Sequence, residues 1–152
     1  ANKNQILNNS NRKSLFSRLI ESKWEVWLGF AFENFCLKNA TMLAETMGFD
    51  EYVESFGPYF NQTRSKKNTQ GTGFQIDLVY KRTDKVITVC EIKFHQKPLT
   101  AKVIAEVEQK IKLLDIPKSY SIEKALITVN GADQGLIDSK YFDHILELKH
   151  FL

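Results

Sequence analysis

The sequence predicts a single α/β domain in which helices pack on a mixed β-sheet, in the element order α-β-β-β-α-β-β. Residues 12–47 repeat apolar side chains at three- and four-residue intervals, as an amphipathic helix does. Residues 74–81 and 86–95 alternate apolar with polar side chains, as two half-buried strands do, and a turn-forming segment separates them. Residues 101–114 return to helical spacing, and short apolar segments follow.

Length and composition exclude several classes of protein. The chain has 152 residues, 43% hydrophobic and 26% charged, with a net charge of +3 that is too small to indicate nucleic-acid binding by itself. We expect one domain over residues 1–152 that folds without disulfides or a structural metal. Cys36 and Cys90 are far apart and read as buried thiols of a cytoplasmic protein, and no apolar run is long enough to span a membrane.

The first helical region contains the densest aromatic pattern of the chain. We expect residues 1–11 to be disordered, a break near Glu21-Ser22 between a short and a long helix, and an end at Gly48. The apolar stripe predicts a helix buried on most of its circumference. Trp24 and Trp27 belong to this stripe, so core packing is expected, although exposed tryptophans could instead stack on bases.

The remaining elements follow from shorter signals. A first strand is predicted at residues 59–63, before a polar loop without periodicity. Thr100 has the position of an N-cap for the second helix. A short strand is predicted at residues 125–129, closed by Asn130-Gly131, and a last strand within residues 144–149.

The predicted hairpin brings acidic residues together. In an antiparallel pair, opposite residues have numbers with a constant sum, and the sum 168 places Asp77 opposite Glu91. The further pairs in this register are Val79 with Val89 and Gln75 with Lys93. Two carboxylates ~5 Å apart at Cβ destabilise a sheet unless a cation lies between them. A turn of even length would separate them.

Paired carboxylates with a lysine two positions away suit phosphodiester hydrolysis assisted by Mg²⁺ or Mn²⁺. Asp77 and Glu91 would hold the metal, and Lys93 would orient the nucleophile or stabilise the developing negative charge. Gln75 could hold that lysine in place. Glu33, on the first helix, is either a solvated residue at the helix edge or a further acid of the site.

Basic residues around this site are candidates for contacts with a phosphate backbone, and each could equally be a solvated surface group. His95 continues the strand that carries Glu91 and Lys93. The candidates are Arg64, Lys66 and Lys67 in the polar loop, His95, and Lys102 and Lys110 on the second helix.

The spacing of these residues resembles the PD-(D/E)XK nuclease superfamily. Asp77 is followed, fourteen residues on, by Glu91-Ile92-Lys93, after a helix that carries Glu33. The resemblance implies a restriction-endonuclease-like fold, with Asp77 and Glu91 as metal ligands and Lys93 as the catalytic lysine. It also implies a contribution from the second helix, for which Gln109 and Lys110 are alternatives.

A closer resemblance extends over nearly the whole chain, to the C-terminal nuclease-like domain of prokaryotic AAA-type ATPases. The motifs that carry it are Trp24…Trp27-x-Gly29-x-x-Phe32-Glu33, Gln75-Ile76-Asp77-Leu78, Cys90-Glu91-Ile92-Lys93-Phe94 and Leu126-Ile127-Thr128…Gly131. The resemblance implies a C-terminal fragment of a larger ATPase, with DNA and the ATPase domain as partners and a homodimer left open. The alternative function is a non-catalytic nuclease-fold module that binds DNA or the ATPase.

Overall fold

The computed structural model describes residues 2–61 and 74–151. The helices are α1 (Asn2–Lys38), α2 (Ala40–Met47), α3 (Lys102–Leu113) and α4 (Gln134–Asp138), with short 3₁₀ helices at Asp50–Tyr52 and Leu148–His150. The strands are β1 (Val53–Asn61), β2 (Phe74–Arg82), β3 (Val86–Lys93), β4 (Ser121–Thr128) and β5 (His144–Glu147).

The strands form one mixed sheet in the order β1-β2-β3-β4-β5. The first three pair antiparallel, and β3, β4 and β5 pair parallel. A parallel neighbour requires a crossover connection, which α3 supplies between β3 and β4. The predicted α/β class, mixed sheet and flanking helices are confirmed, and the five-residue helix α4 is an addition to the predicted order.

Helices cover both faces of the sheet. The C-terminal part of α1 packs with α2 on one face, where Cys36, Leu43 and Tyr80 are completely buried. Helix α3 packs on the other face, where Val107 contacts the apolar cluster around Leu126. Each strand of the centre is therefore buried on two sides, as is typical of parallel strands in an α/β domain.

Helix α1 differs from the prediction at both ends. It begins at Asn2, within the segment expected to be disordered, and it continues through the predicted break at Glu21-Ser22. No Gly or Pro precedes Gly29, so nothing in the sequence interrupts the helix. The break occurs at Asn39, whose side-chain amide donates to the Phe35 carbonyl at 2.8 Å. The predicted end at Gly48 is confirmed by its φ of 86°.

The expected burial of the α1 aromatic stripe is wrong. Trp24 and Trp27 are 58% and 57% exposed, and the stripe reaches the core only at Phe32 and Cys36. The 37 residues of α1 extend over about 55 Å, whereas the nine residues of β2 extend over about 30 Å. The N-terminal part of the helix therefore extends beyond the sheet. Within the described residues, no helix has a stretch that is both long and apolar enough to cross a bilayer.

Strand β1 is longer than predicted because Gly57-Pro58 lies inside it. Proline is tolerated there because β1 is an edge strand, where one side of the backbone has no neighbour. Gly57 pairs with Val79 but Tyr59 pairs with Ile76, so two residues of β2 oppose the single residue Pro58. This is a β-bulge at Asp77 and Leu78.

The bulge reverses the alternation of β2. Ile76 belongs to the same apolar cluster as Val89, below α3, whereas Leu78 belongs to the cluster below α1 and α2. Gln75 consequently lies on the face covered by α1, opposite to the face that strict alternation predicts. The bulge decides which residues meet at the candidate site.

Candidate active site

The predicted hairpin register is confirmed. Val79 pairs with Val89, and the ladder runs from Leu78–Cys90 to Lys81–Ile87 with the constant sum of 168. The ladder stops at the bulge, just before Asp77. Asp77 Oδ2 instead accepts a hydrogen bond of 3.0 Å from the Ile92 amide, so Asp77 lies beside Glu91 at the end of the hairpin.

Glu91 is a buried carboxylate with an internal counterion. It is 1% exposed, on β3 in the middle of the sheet. Lys110 Nζ donates to its two carboxylate oxygens at 2.9 and 3.0 Å, and Lys93 Nζ lies 3.4 Å from Oε1. Burial raises the pKa of Glu91, and the charge of Asp77 raises it further, whereas Lys110 and Lys93 act to lower it. Because so little of Glu91 is exposed, its ionised form is poorly solvated, and the net shift of its pKa is upward.

Asp77 is held in a similar environment. Burial raises its pKa and the nearby charge of Glu33 adds to the shift, although the Ile92 amide, Lys110 and Lys93 oppose it. Half-buried Glu33 is thus a neighbour of Asp77. Burial and the charges of Asp77 and Glu33 also raise the pKa of the Cys36 thiol to about 12.

Lys93 lies between two carboxylates. Its Nζ donates to Glu106 Oε1 at 2.8 Å, in addition to its contact with Glu91. Burial alone lowers the pKa of Lys93, but its bonds to Glu106 and Glu91 outweigh burial and the net shift is upward. The predicted support from Gln75 is wrong: Gln75 Nε2 donates to Glu33 Oε1 at 3.1 Å, because the bulge places Gln75 on the α1 face.

Helix α3 contributes Lys110 rather than Gln109. Lys110 bonds to Glu91, while exposed Gln109 lines a separate cleft with Lys112. Glu106 is a site residue that the sequence reasoning missed. It is one helical turn before Lys110, so the i, i+4 spacing of an acid and a base on α3 was the available signal. Burial acts to raise the pKa of Glu106, but Lys93 and Lys110 lower it overall.

A basic cleft opens beside Lys93. It has a volume of about 360 Å³, and its charged lining consists of Lys93, His95, Lys97, Lys102 and Glu106. The predicted residues His95 and Lys102 are therefore brought next to Lys93, and Lys97 is an addition. The loop after β3, which carries His95 and Lys97, is held by the Asn130 side chain, which donates to the His95 carbonyl at 2.6 Å. Arg64, Lys66 and Lys67 lie outside the described residues.

The carboxylates suit a cation that takes few protein ligands. Within residues 2–61 and 74–151, no three or more His, Cys, Asp or Glu side chains form a cluster that could hold a metal ion. Zinc and calcium sites need such dedicated cages. Mg²⁺ is commonly bound through one or two carboxylates, water and substrate phosphates, and the pair Asp77 and Glu91 fits that donor set.

Comparison with known proteins places the chain in a family. Residues 1–110 match DUF234, described as archaeal and bacterial proteins of unknown function. This chain is a DUF234 protein. The DUF234 chain also aligns with a repair endonuclease from Pyrococcus abyssi, with a TM-score of 0.46 and 14% sequence identity. The alignment covers 80% of this chain but 46% of the endonuclease, so the chain spans less than half of that protein. No curated protein matches it in sequence.

The DUF234 site therefore combines two poorly solvated carboxylates, Asp77 and Glu91, with an adjoining cleft lined by basic residues. Asp77 and Glu91 are close together at one end of the central strands, and Lys93 and Lys110 neutralise part of their charge. The cleft beside Lys93 is open to solvent and carries three further basic groups. Such an arrangement can bind a cation and position a phosphate next to it.

Proposed function

We propose that this DUF234 chain is a metal-dependent DNA nuclease that hydrolyses phosphodiester bonds with a metal-activated water. The observation that carries the proposal is Glu91, a carboxylate that is 1% exposed and adjoins a second, half-buried carboxylate, Asp77. Burying ionised groups in this way costs stability relative to an apolar core. Acids whose pKa values are raised by burial, next to a lysine that lines an open cleft, are typical of functional sites.

Asp77 and Glu91 would hold Mg²⁺ or Mn²⁺. The bound ion would supply Lewis acidity toward the phosphate and would lower the pKa of a coordinated water. Lys110 bonds both Glu91 oxygens, so it would have to release them for a metal ion to bind there. Glu33, fixed by Gln75, would add a further negative charge near Asp77.

Lys93 and the basic cleft would position the DNA. The Lys93 side chain is 25% exposed, so its ammonium group can reach a phosphate oxygen in the cleft once it leaves Glu106. His95, Lys97 and Lys102 line the same cleft and would contact neighbouring phosphates, which fixes register without reading sequence. We place Arg64, Lys66 and Lys67 in the same backbone-binding role.

The motif resemblance supports a wider proposal, in which the domain acts in the cytoplasm as the C-terminal part of an AAA-type ATPase. DNA and the ATPase domain would then be its partners. The measurement is made on the full-length protein: ATP should change the rate of DNA cleavage, and a rate indifferent to ATP would contradict the coupling.

Cleavage assays with matched variants test the nuclease proposal. The chain is incubated with supercoiled, linear and branched DNA in Mg²⁺ or Mn²⁺, beside Asp77→Asn and Lys93→Met. Both variants should lose cleavage. Lys118→Ala is the control and should retain it, because Lys118 precedes β4, which begins opposite Val86 at the far end of β3 from Lys93. Equal cleavage by all variants would indicate a contaminating nuclease and contradict the proposal.

A non-catalytic module that binds DNA is the second candidate. It is favoured by the internal ion pairs of the site, because Lys110 bonds both oxygens of Glu91 and Lys93 bonds Glu106. A ligand that binds only the folded state raises the melting temperature. DNA retention without cleavage, together with a melting temperature indifferent to millimolar Mg²⁺, would select this candidate over the nuclease.

A further inference from the structure

The N-terminal part of α1 exposes a continuous set of large apolar side chains. We call residues 15–30 the apolar ridge; eight of its side chains, Trp24 and Trp27 included, are 52–65% exposed. Trp24 and Trp27 stack on each other, with ring centroids 5.1 Å apart, and so present a flat aromatic surface. Scattered exposed apolar residues need no explanation, but a contiguous set on one helix does.

The ridge faces away from the domain. At 3.6 residues per turn, its apolar positions occupy one half of the helix circumference. The opposite half carries Glu25, which accepts a hydrogen bond of 2.8 Å from Gln96, and farther along it carries buried Phe32 and Cys36. The sheet and α3 therefore cannot cover the ridge, and the described residues of this chain leave it open.

The size of the ridge matches half of a stable dimer interface. Four of the eight exposed side chains are aromatic, with areas of about 150–250 Å² each, and the other four are smaller aliphatic groups. Since 52–65% of each is exposed, the ridge presents roughly 800 Å² of apolar surface. The largest apolar patch of a monomer is typically about 300–600 Å². A standard protein interface buries about 800 Å² on each partner. One copy of the ridge thus supplies the area that a dimer needs from each chain.

We propose that the ridge of a second copy of this chain covers it, with the two α1 helices antiparallel about a two-fold axis. The spacing of the ridge is nearly the same when read backwards. In an antiparallel pair whose residue numbers add to 46, six of the eight exposed apolar side chains meet one another in three pairs, whereas Trp24 lies opposite Ser22. The pairs are Phe16 with Phe30, Leu19 with Trp27, and Ile20 with Val26. Self-complementarity of this kind is what an isologous interface requires, and such an interface closes at two copies.

The antiparallel direction has two advantages over the parallel one. It opposes the helix dipoles, whereas a parallel pair aligns them. It also places the two sheets at opposite ends of the helix pair, while a parallel pair brings both to the same end, beyond Phe32. In this register Lys23 faces Lys23 of the second copy at the crossing point, so the two stems pack on apolar surface while the two ammonium groups point apart, each toward the second copy's Trp24. The two like charges at the centre lower the stability of the pair but specify its register.

The charge of the ridge argues against a lipid surface as its partner. Residues 14–30 contain two basic residues, Arg18 and Lys23, and two acidic residues, Glu21 and Glu25. Helices that lie on anionic membranes carry polar faces rich in Lys and Arg. Lys3, Arg12 and Lys13 precede the ridge on α1, but the ridge itself carries no excess of positive charge, and an aromatic face of this kind suits a protein partner.

Measurement of the molar mass in solution tests the proposal. The chain at micromolar concentration should have twice the mass of one chain by light scattering, and Ile20→Glu and Trp27→Glu should each be monomeric. Ile137→Glu is the control, since Ile137 on α4 is also exposed, at 47%, and should remain dimeric. Circular dichroism checks that the variants are folded. A monomeric wild-type chain, or one that binds vesicles without dimerising, would overturn the proposal.

Cysteine cross-linking tests the direction. A mixture of Leu19→Cys and Trp27→Cys chains should form a disulfide-linked dimer under mild oxidation, while Leu19→Cys alone should not. The native thiols Cys36 and Cys90 are buried and do not interfere. Efficient self-linking of Leu19→Cys would show a parallel pair and would overturn the antiparallel arrangement.

Discussion

Replacement of Lys110 by Met tests whether the buried carboxylate depends on its internal counterion. Methionine keeps most of the length of the side chain and removes the charge. In the native chain, Lys110 Nζ bonds both oxygens of Glu91, whose side chain is 2% exposed. The variant leaves that carboxylate with Lys93, 3.4 Å from one oxygen, as its remaining basic contact among the described residues.

The expected loss of stability follows from burial. Removing one partner of a fully buried ion pair costs about 3–5 kcal/mol. Lys110 is 17% exposed and Lys93 still contacts Glu91, so we expect about 2 kcal/mol at pH 8. For a domain of this size, that corresponds to a decrease of about 4–8 °C in melting temperature.

The loss should depend on pH in a defined direction. Burial already raises the pKa of Glu91, and Lys110 acts to lower it, so its removal raises that pKa further. The folded variant then binds more protons than the native chain, and its deficit shrinks as the pH falls toward the ordinary pKa of a glutamate. Mg²⁺ should also restore more stability to the variant than to the native chain, since no ammonium group competes for Glu91.

Thermal unfolding at pH 8 and pH 5, in chelator or in Mg²⁺, measures these effects. Lys112→Met is the matched control, because Lys112 lies on the same helix and is exposed. Native-like melting of Lys110→Met at pH 8 in chelator would refute the reasoning that Glu91 is ionised and depends on Lys110.

Three further predictions concern single substitutions. Burial and the charge of Glu33 raise the pKa of Asp77, so ionised Asp77 destabilises the fold at pH values above the ordinary pKa of an aspartate. Without metal, Asp77→Asn should therefore have a higher melting temperature than the native chain at pH 8 but not at pH 4. A lower melting temperature of the variant at pH 8 would contradict this. Lys93→Met should lower cleavage about 100-fold or more while keeping any Mg²⁺-dependent rise in melting temperature; loss of the rise would contradict a role confined to phosphate. Gly131→Ala should lower the free energy of unfolding, measured in urea, by about 1–3 kcal/mol. Gly131 has a φ of 77°, and an added Cβ would lie 2.8 Å from Glu147 Cδ. Gly135→Ala is the control and should lower the free energy of unfolding much less.

The periodic segments of the chain allowed the fold class to be predicted. Alternation over two short segments required only that opposite residues of β2 and β3 have an even sum, because period-two patterning specifies which face is buried. The pairing of Asp77 with Glu91 then selected 168, which is the register of the structure. The same periodicity failed at Asp77. A β-bulge reverses the face of every residue beyond it, and no residue type in β2 indicates that a bulge is present. The contact of Gln75 with Glu33 was therefore not predicted.

The burial of α1 was not predictable from its own sequence. Apolar spacing indicates that a helix face needs a partner, but it does not say whether that partner belongs to the same chain. The 37-residue helix is longer than the sheet on which it packs, and sheet length depends on strand bounds that the sequence left uncertain. Glu106 was missed for a related reason: its role depends on how α3 is rotated over β3, which only the packed structure shows.

The short turn between β2 and β3 also affects the path by which the chain folds. Hairpins with short turns close early because little chain entropy is lost, whereas pairing β3 with β4 must wait for a crossover that includes α3. Asp77 and Glu91 belong to the hairpin, but Lys110 belongs to the crossover helix. In that order of events the two negative charges meet with Lys93 of the hairpin beside them, but before Lys110 arrives. Refolding should accelerate when Mg²⁺ or mild acid reduces this early repulsion, so the residues proposed for catalysis also influence the folding rate.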